Sequence, residues 1–167
     1  MQLRSPSDRF PAVPHVSIEV PDSWAAHDLP ASVITAYDTA SPAHFRVNAT
    51  VAIERILAGP SLREIAARFA EAAIDDLPDY VVHGEEVVAP AAPDGLPRFL
   101  RLHSYRPVGA PFAVFQAQCL VLVSAPAPAG AAADLVSLHA TCPGDVADRY
   151  GAVFRAVADS LSIGPRV

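Results

Sequence analysis

The sequence predicts an α+β domain in which a mainly antiparallel β-sheet carries two principal helices. Three observations point there. Apolar and polar residues alternate with a period of two along several short segments. Two longer segments place apolar residues at helical spacing. Helices and strands do not alternate in turn, as a doubly wound parallel sheet would require. The expected order is β-β-β-α-β-β-β-β-α. It forms one domain over residues 1–167, with an ordered core at about 14–163, and that length buries a real core.

The first strand is read at residues 16–20, where Val16, Ile18 and Val20 alternate with Ser17 and Glu19 before Pro21 ends the run. Residues 33–37 form a second short β-rich run. In the long segment FRVNATVAIERIL, Val47, Ala49, Val51 and Ile53 share one face, and Arg46, Asn48, Thr50 and Glu54 share the other. Gly59-Pro60 breaks the chain, and Ser61 with Glu64 makes a capping box. The helix that follows is expected to bury Leu62, Ile65, Ala66, Phe69 and Ala73 and to end near Pro78. Strands are then expected at 80–88, 98–105, 113–123 and 135–142. The turn APDGLP precedes the second of these, and APAPAGAAA joins the last two as a hairpin connection. A second helix starts at Pro143-Gly144-Asp145, with Asp145 as its N-cap and Val146, Tyr150, Val153, Phe154, Val157 and Leu161 as its apolar stripe.

Composition narrows the function. The net charge of −6 argues against nucleic acid, which needs a concentrated basic face. All twelve basic residues are arginine, a composition expected of a GC-rich genome such as an actinobacterium's. No apolar run approaches the ~18 residues of a membrane span. The arginine-bearing start MQLRSPSDRF lacks the apolar core of a secretory leader, so a cytoplasmic location is expected. Cys119 and Cys142 lie in strand-like apolar segments and read as free thiols, although neighbouring strands in suitable register would allow a bridge.

The motifs, taken in order, resemble a known family. VPDSW follows the first strand, FRVNATVAIERI fills the long one, and SLREIAARF opens the first helix. DGLP precedes the central strands, and DRYGAVFRAVADSLSI closes the chain. Together they resemble the Mog1/PsbP-like fold, and within it the actinobacterial LpqN-type family. The resemblance implies an antiparallel sheet between helices, an α/β/α sandwich, and no activity. Proteins of this fold include GTPase-binding factors, photosystem assembly subunits, lipoproteins and secretion chaperones, so it also implies a protein partner. LpqN-type members usually carry a lipid anchor, and this sequence shows no attachment cysteine. The tryptophan of VPDSW, Trp24, is then a plug folded over the sheet rather than a ligand-stacking ring.

No enzyme is expected. The sequence lacks a Gly-x-Ser-x-Gly elbow and a glycine-rich phosphate cradle, and no nucleophile, base and orienter come together. No metal and no cofactor are expected either: His83 and Glu85, on one face of a regular strand, would supply two ligands where zinc takes three or four. Asp75, Asp76 and Asp79 cluster at a helix C-terminus, where the macrodipole disfavours them; solvated loop charge or a basic partner would explain that. One polar strip stands out. Arg101, His103 and Tyr105 share a face of one strand, Gln116 and Gln118 interrupt an apolar one, and Ser137 and His139 share a face of the last. The strip is either a half-solvated sheet face or the binding surface for a protein client, with Arg101 and Tyr105 as anchors. As a surface strip, it should tolerate alanine at Arg101 and Gln118 without loss of folding. The reading is a non-enzymatic adaptor, chaperone or assembly factor; the alternative is a small-molecule or lipid carrier using an apolar cavity between sheet and helix.

Overall fold

The computed structural model describes residues 12–41, 44–88, 94–124 and 132–166. Its elements are β1 (Pro14–Ser17), β2 (Trp24–Ala26), β3 (Ile34–Asp38), β4 (Asn48–Leu57), α1 (Leu62–Asp76), β5 (Val81–Val88), β6 (Arg98–Tyr105), β7 (Val114–Ser124), β8 (Ala132–Pro143), α2 (Ala147–Ser160) and β9 (Ser162–Arg166). A 3₁₀ turn over Gly144–Val146 leads into α2. The main sheet is antiparallel throughout, in the order β2-β3-β4-β8-β7-β6-β5. β1 and β9 pair separately as an antiparallel ribbon.

The two helices cover opposite faces, because strand parity sorts the apolar residues into two cores. Val51, Cys119, Val121, Val136 and Leu138 pack with Tyr150, Phe154 and Val157 of α2. Phe99, Leu120 and Leu135 project to the other side and pack with Ile65 and Ala66 of α1. This is the α/β/α sandwich that the resemblance implied. The capping box at Ser61 is present: Ser61 Oγ accepts from the Glu64 amide, and Glu64 accepts from the Ser61 amide at 2.7 Å. No described helix is long and apolar enough to cross a membrane.

Polar ties lock the layers. Tyr150 of α2 donates to Asp38 of β3 at 2.5 Å. Buried Arg98 donates to the Leu161 carbonyl at 2.6 Å and to Asp94 at 2.8 Å, while the Ile163 amide also donates to Asp94. Asp134, wholly buried, is held between Arg55 and Arg166, which brings the end of β9 onto the main sheet.

Several expectations are corrected. The alternating run 16–20 is a strand only to Ser17 and belongs to the ribbon; alternation records one-sided burial, and Val16, Ile18 and Val20 do pack on the α2-side core, but it does not say which sheet is joined. β2 and β9 are additional strands. Asp145 lies inside the 3₁₀ turn, and Val146 stands at the N-cap of α2 with no side-chain cap. That turn is pressed against the start of β7: the Gly144 amide donates to the Ala113 carbonyl, and a Cβ at Gly144 would come 3.3 Å from the same oxygen. Phe69 is 37% exposed rather than core. The APAPAGAAA connection lies, up to residue 131, outside the described residues. Trp24 opens edge strand β2 and packs, partly buried, on the α2-side core, so its role is structural. Cys119 and Cys142 are free and buried. Their strands are neighbours, but Cys119 faces Leu138 and Cys142 faces Phe115. That four-residue offset is roughly 13 Å at strand rise, beyond the Cα separation a disulfide accepts.

Candidate functional site

Cross-strand register turns the polar strip into ordered rows. Arg101 pairs with Gln118, Gln118 with His139, and His139 with Thr50. The next row runs His103, Gln116, Thr141 and Asn48. Ser137 stands beside Leu120 one row the other way. All these side chains share the face that α1 covers, because the α1-side core residues Phe99, Leu120 and Leu135 have the same parity on the same strands.

Beneath the C-terminal half of α1 this face leaves a cavity of about 300 Å³. Its floor is Arg101, His103, Gln116, Gln118, Ser137 and His139, which are six of the seven residues singled out from sequence. Its walls are Phe69, Ala73 and Leu77 of α1 with Tyr80, and Glu54 lies at its β4 side. The seventh residue, Tyr105, is outside the cavity and stacks on His103 at 6.1 Å between ring centres. Tyr80 approaches the same imidazole at 5.1 Å. Phe69 is therefore not a misplaced core residue but a wall of this cavity.

The strip is not a half-solvated surface. Arg101 is 3% exposed, His103 4% and Gln118 7%. Arg101 is a strut rather than a free anchor: it donates to the Ala66 carbonyl of α1 at 2.8 Å, to Glu85 at 3.2 Å and to Gln118 at 3.5 Å. The surface position on which the expectation of harmless alanine at Arg101 and Gln118 rested is not what the structure has: both are buried. Parity identified the shared face; it did not reveal that α1 lies over it.

The two imidazoles differ from ordinary histidines. Burial, then the nearby charges of Arg101 and His139, pushes His103 down to about 4, so it is neutral at pH 7. Burial also lowers His139. His139 Nδ1 lies 3.2 Å from Gln116 Oε1, while Gln116 Nε2 donates to Thr141 at 3.0 Å. That chain makes Nδ1 of neutral His139 the donor and leaves its Nε2 an acceptor. His103 Nδ1 is sealed from solvent and has no partner; among the described residues only Arg98 Nε shares that condition. Burial raises the Tyr80 phenol above its ordinary value against the pull of Arg101. Ser137 makes no side-chain hydrogen bond among the described residues. The floor thus holds hydrogen-bonding groups that its own residues leave unspent, and for His103 Nδ1, which water does not reach, that is costly.

A second cavity, about 280 Å³, opens on the α2 side. Leu100, Leu102, Phe115, Ala117 and Phe154 make it largely apolar, and Arg155 and Glu86, paired at 3.0 Å, lie on its rim. The His83–Glu85 pair does not form there or elsewhere. A bulge between Val82 and Gly84 shifts the parity of β5, so His83 bonds Ser104 and stacks on Phe115 while Glu85 reaches Arg101 on the opposite face. Among the described residues no three His, Cys, Asp or Glu side chains gather as metal ligands.

No family model and no curated protein matches this chain. Solved structures do. LpqN of Mycobacterium tuberculosis, a protein involved in cell envelope biogenesis, superposes with a TM-score of 0.69 over 93% of this chain and 86% of its own, at 18% identity. The cyanobacterial PsbP protein CyanoP of Synechocystis gives a TM-score of 0.62 over 98% of both chains, at 13% identity. Identities this low speak of fold alone. The architecture, with one helix on each face of an antiparallel sheet, and these two superpositions identify the chain as a Mog1/PsbP-like fold that resembles LpqN.

Proposed function

We propose that this chain is a non-enzymatic accessory protein of a GC-rich bacterium, an adaptor, chaperone or assembly factor that holds a segment of a client protein at the cavity beneath α1. One observation carries the reading. The cavity has an apolar wall and a floor of largely buried polar groups, two of which, His103 Nδ1 and the Ser137 hydroxyl, have no partner. A pocket that is apolar around a few convergent polar groups is the ordinary form of a binding site. A client side chain entering it would reach the Ser137 hydroxyl and His139 Nε2, whereas His103 Nδ1, sealed from solvent, would be met only after its neighbours shift. The test is capture from native lysate on the immobilised wild-type chain and on Ala73→Trp, which fills the cavity from the helix side. A client retained by the wild type and lost by the variant supports the reading. A client retained equally by both refutes it.

The α2-side cavity supports a second reading, a carrier of a small apolar molecule, because its lining is mostly hydrophobic. Mass spectrometry of an organic extract of the purified chain separates the two. A stoichiometric apolar molecule that Gly151→Phe displaces favours the carrier.

A further inference from the structure

Resting on the cavity beneath α1 as the binding site, we infer that the group it receives is a cationic side chain, a lysine or arginine entering on its aliphatic stem. The field there is negative from three sources. α1 ends over the cavity and presents the negative end of its dipole, with no basic residue in its last turn. Asp76, exposed and outside the lining, stands two helical turns after Phe69 and adds its charge at the same end of α1. Glu54 lies on the cavity's β4 side, and neither Glu54 nor Asp76 is ion-paired among the described residues. Arg101 is the one cation in the lining, and Glu85 already neutralises it while the Ala66 carbonyl and Gln118 take its other bonds.

The uncharged groups point the same way. His139 offers Nε2 on the floor as an acceptor, and His103 beside it is a buried ring whose Nδ1 is sealed from solvent without a partner. Both rings are neutral at pH 7 and do not repel a cation. Tyr80 and Phe69 supply aromatic faces, which attract a cation lying within about 6 Å of the ring centre. Ala73 and Leu77 leave an apolar surface for the stem of such a side chain. An anionic group would meet the helix C-terminus and two free carboxylates, with no uncommitted donor charge to hold it. The acidic cluster at the end of α1 gains a use by this account: Asp79 is taken by Arg106 at 2.9 Å, whereas Asp76 has no ion pair among the described residues and adds its charge at the helix end beside the cavity.

The test uses the full chain, with labelled histidine and backbone amides, titrated with N-acetyl-arginine methylamide and with its neutral isostere N-acetyl-citrulline methylamide. The arginine compound should move the His103, His139 and Ser137 signals saturably. Citrulline should bind at least about threefold more weakly, and Glu54→Gln and Asp76→Asn should each weaken the arginine compound by about threefold, the scale of a partly screened charge pair. Added salt should act in the same direction. Ala73→Trp should abolish the response. Equal or tighter citrulline binding overturns the cationic inference and leaves the cavity a binding site. Failure of both probes to move these signals overturns it as well, and the Ala73→Trp capture then decides separately whether the cavity binds a client at all.

Discussion

Folding stability should fall between pH 6.5 and pH 4 because of His103. This imidazole is packed between Tyr80 and Tyr105 with Arg101 nearby, and its pKa is lowered from 6.5 to about 4. In that window the unfolded chain takes up a proton that the folded chain refuses. The contribution is therefore complete above about pH 6.5 and is lost as the pH falls towards about 4. The full shift corresponds to about 3.5 kcal/mol at about 1.4 kcal/mol per pKa unit. Between pH 7 and pH 5 the loss from this one group is about 2 kcal/mol. Asp38, Asp94 and Asp134 are lowered from 3.8, so their contributions disappear only below that value and stay out of the window. His139 is also lowered and adds a loss of the same sign, which makes comparison with His103→Phe necessary. Urea unfolding at pH 7, 6 and 5, followed by Trp24 fluorescence and far-UV circular dichroism, gives both slopes. The variant should lose about 2 kcal/mol less than the wild type from pH 7 to pH 5. Equal losses would mean that His103 titrates normally and is not a buried neutral group.

Other outcomes follow from the same packing. Arg101→Ala should destabilise by about 2–3 kcal/mol, since it removes charged hydrogen bonds that join β6 to α1 and to Glu85 of β5; urea melts at pH 7 measure it. Tyr150→Phe leaves the Asp38 carboxylate with the Ala40 amide alone, at a cost of about 1.5–3 kcal/mol, and should raise the Asp38 pKa as read by carboxyl NMR. Trp24→Ala should cost about 2–3 kcal/mol, below the range for a fully buried ring, because Trp24 is partly exposed at an edge strand. Cys119 and Cys142, each pushed by burial up to about 12, should resist iodoacetamide in the folded chain and react once urea unfolds it.

Much of the fold could be read from local pattern. The alternation in β4 and the capping box of α1 were enough to place both elements, because each signal is complete within its own segment. The elements that escaped are those made by their partners. β2 is three residues, too short for any period to show, and β9, with Gly164 and Pro165, is a strand because β1 pairs with it. The site divides in the same way. Counting by twos found the row of Arg101, His103, Gln116, Gln118, Ser137 and His139, since parity is a property of each strand. Tyr80, Glu54 and the α1 wall were missed as site residues because only the crossing of α1 over the sheet brings them there. Phe69 carried a signal that could have been read differently: a phenylalanine on the helix stripe, opposite a sheet face that is polar rather than apolar, marks a cavity as well as a core. The bulge at His83 left no sequence trace beyond Gly84, whose lack of a side chain makes such irregularities easy.

The central claim is that the cavity beneath α1 is where this protein binds its partner. Hydrogen exchange of the full chain, alone and saturated with the client that it captures, tests that most directly. Protection should rise in the C-terminal half of α1, at Tyr80 and in β6 and β7 around Arg101–Gln118, and it should be absent with Ala73→Trp. Protection confined to the free edge of β5, or to the α2 side around Phe115 and Phe154, would contradict the claim.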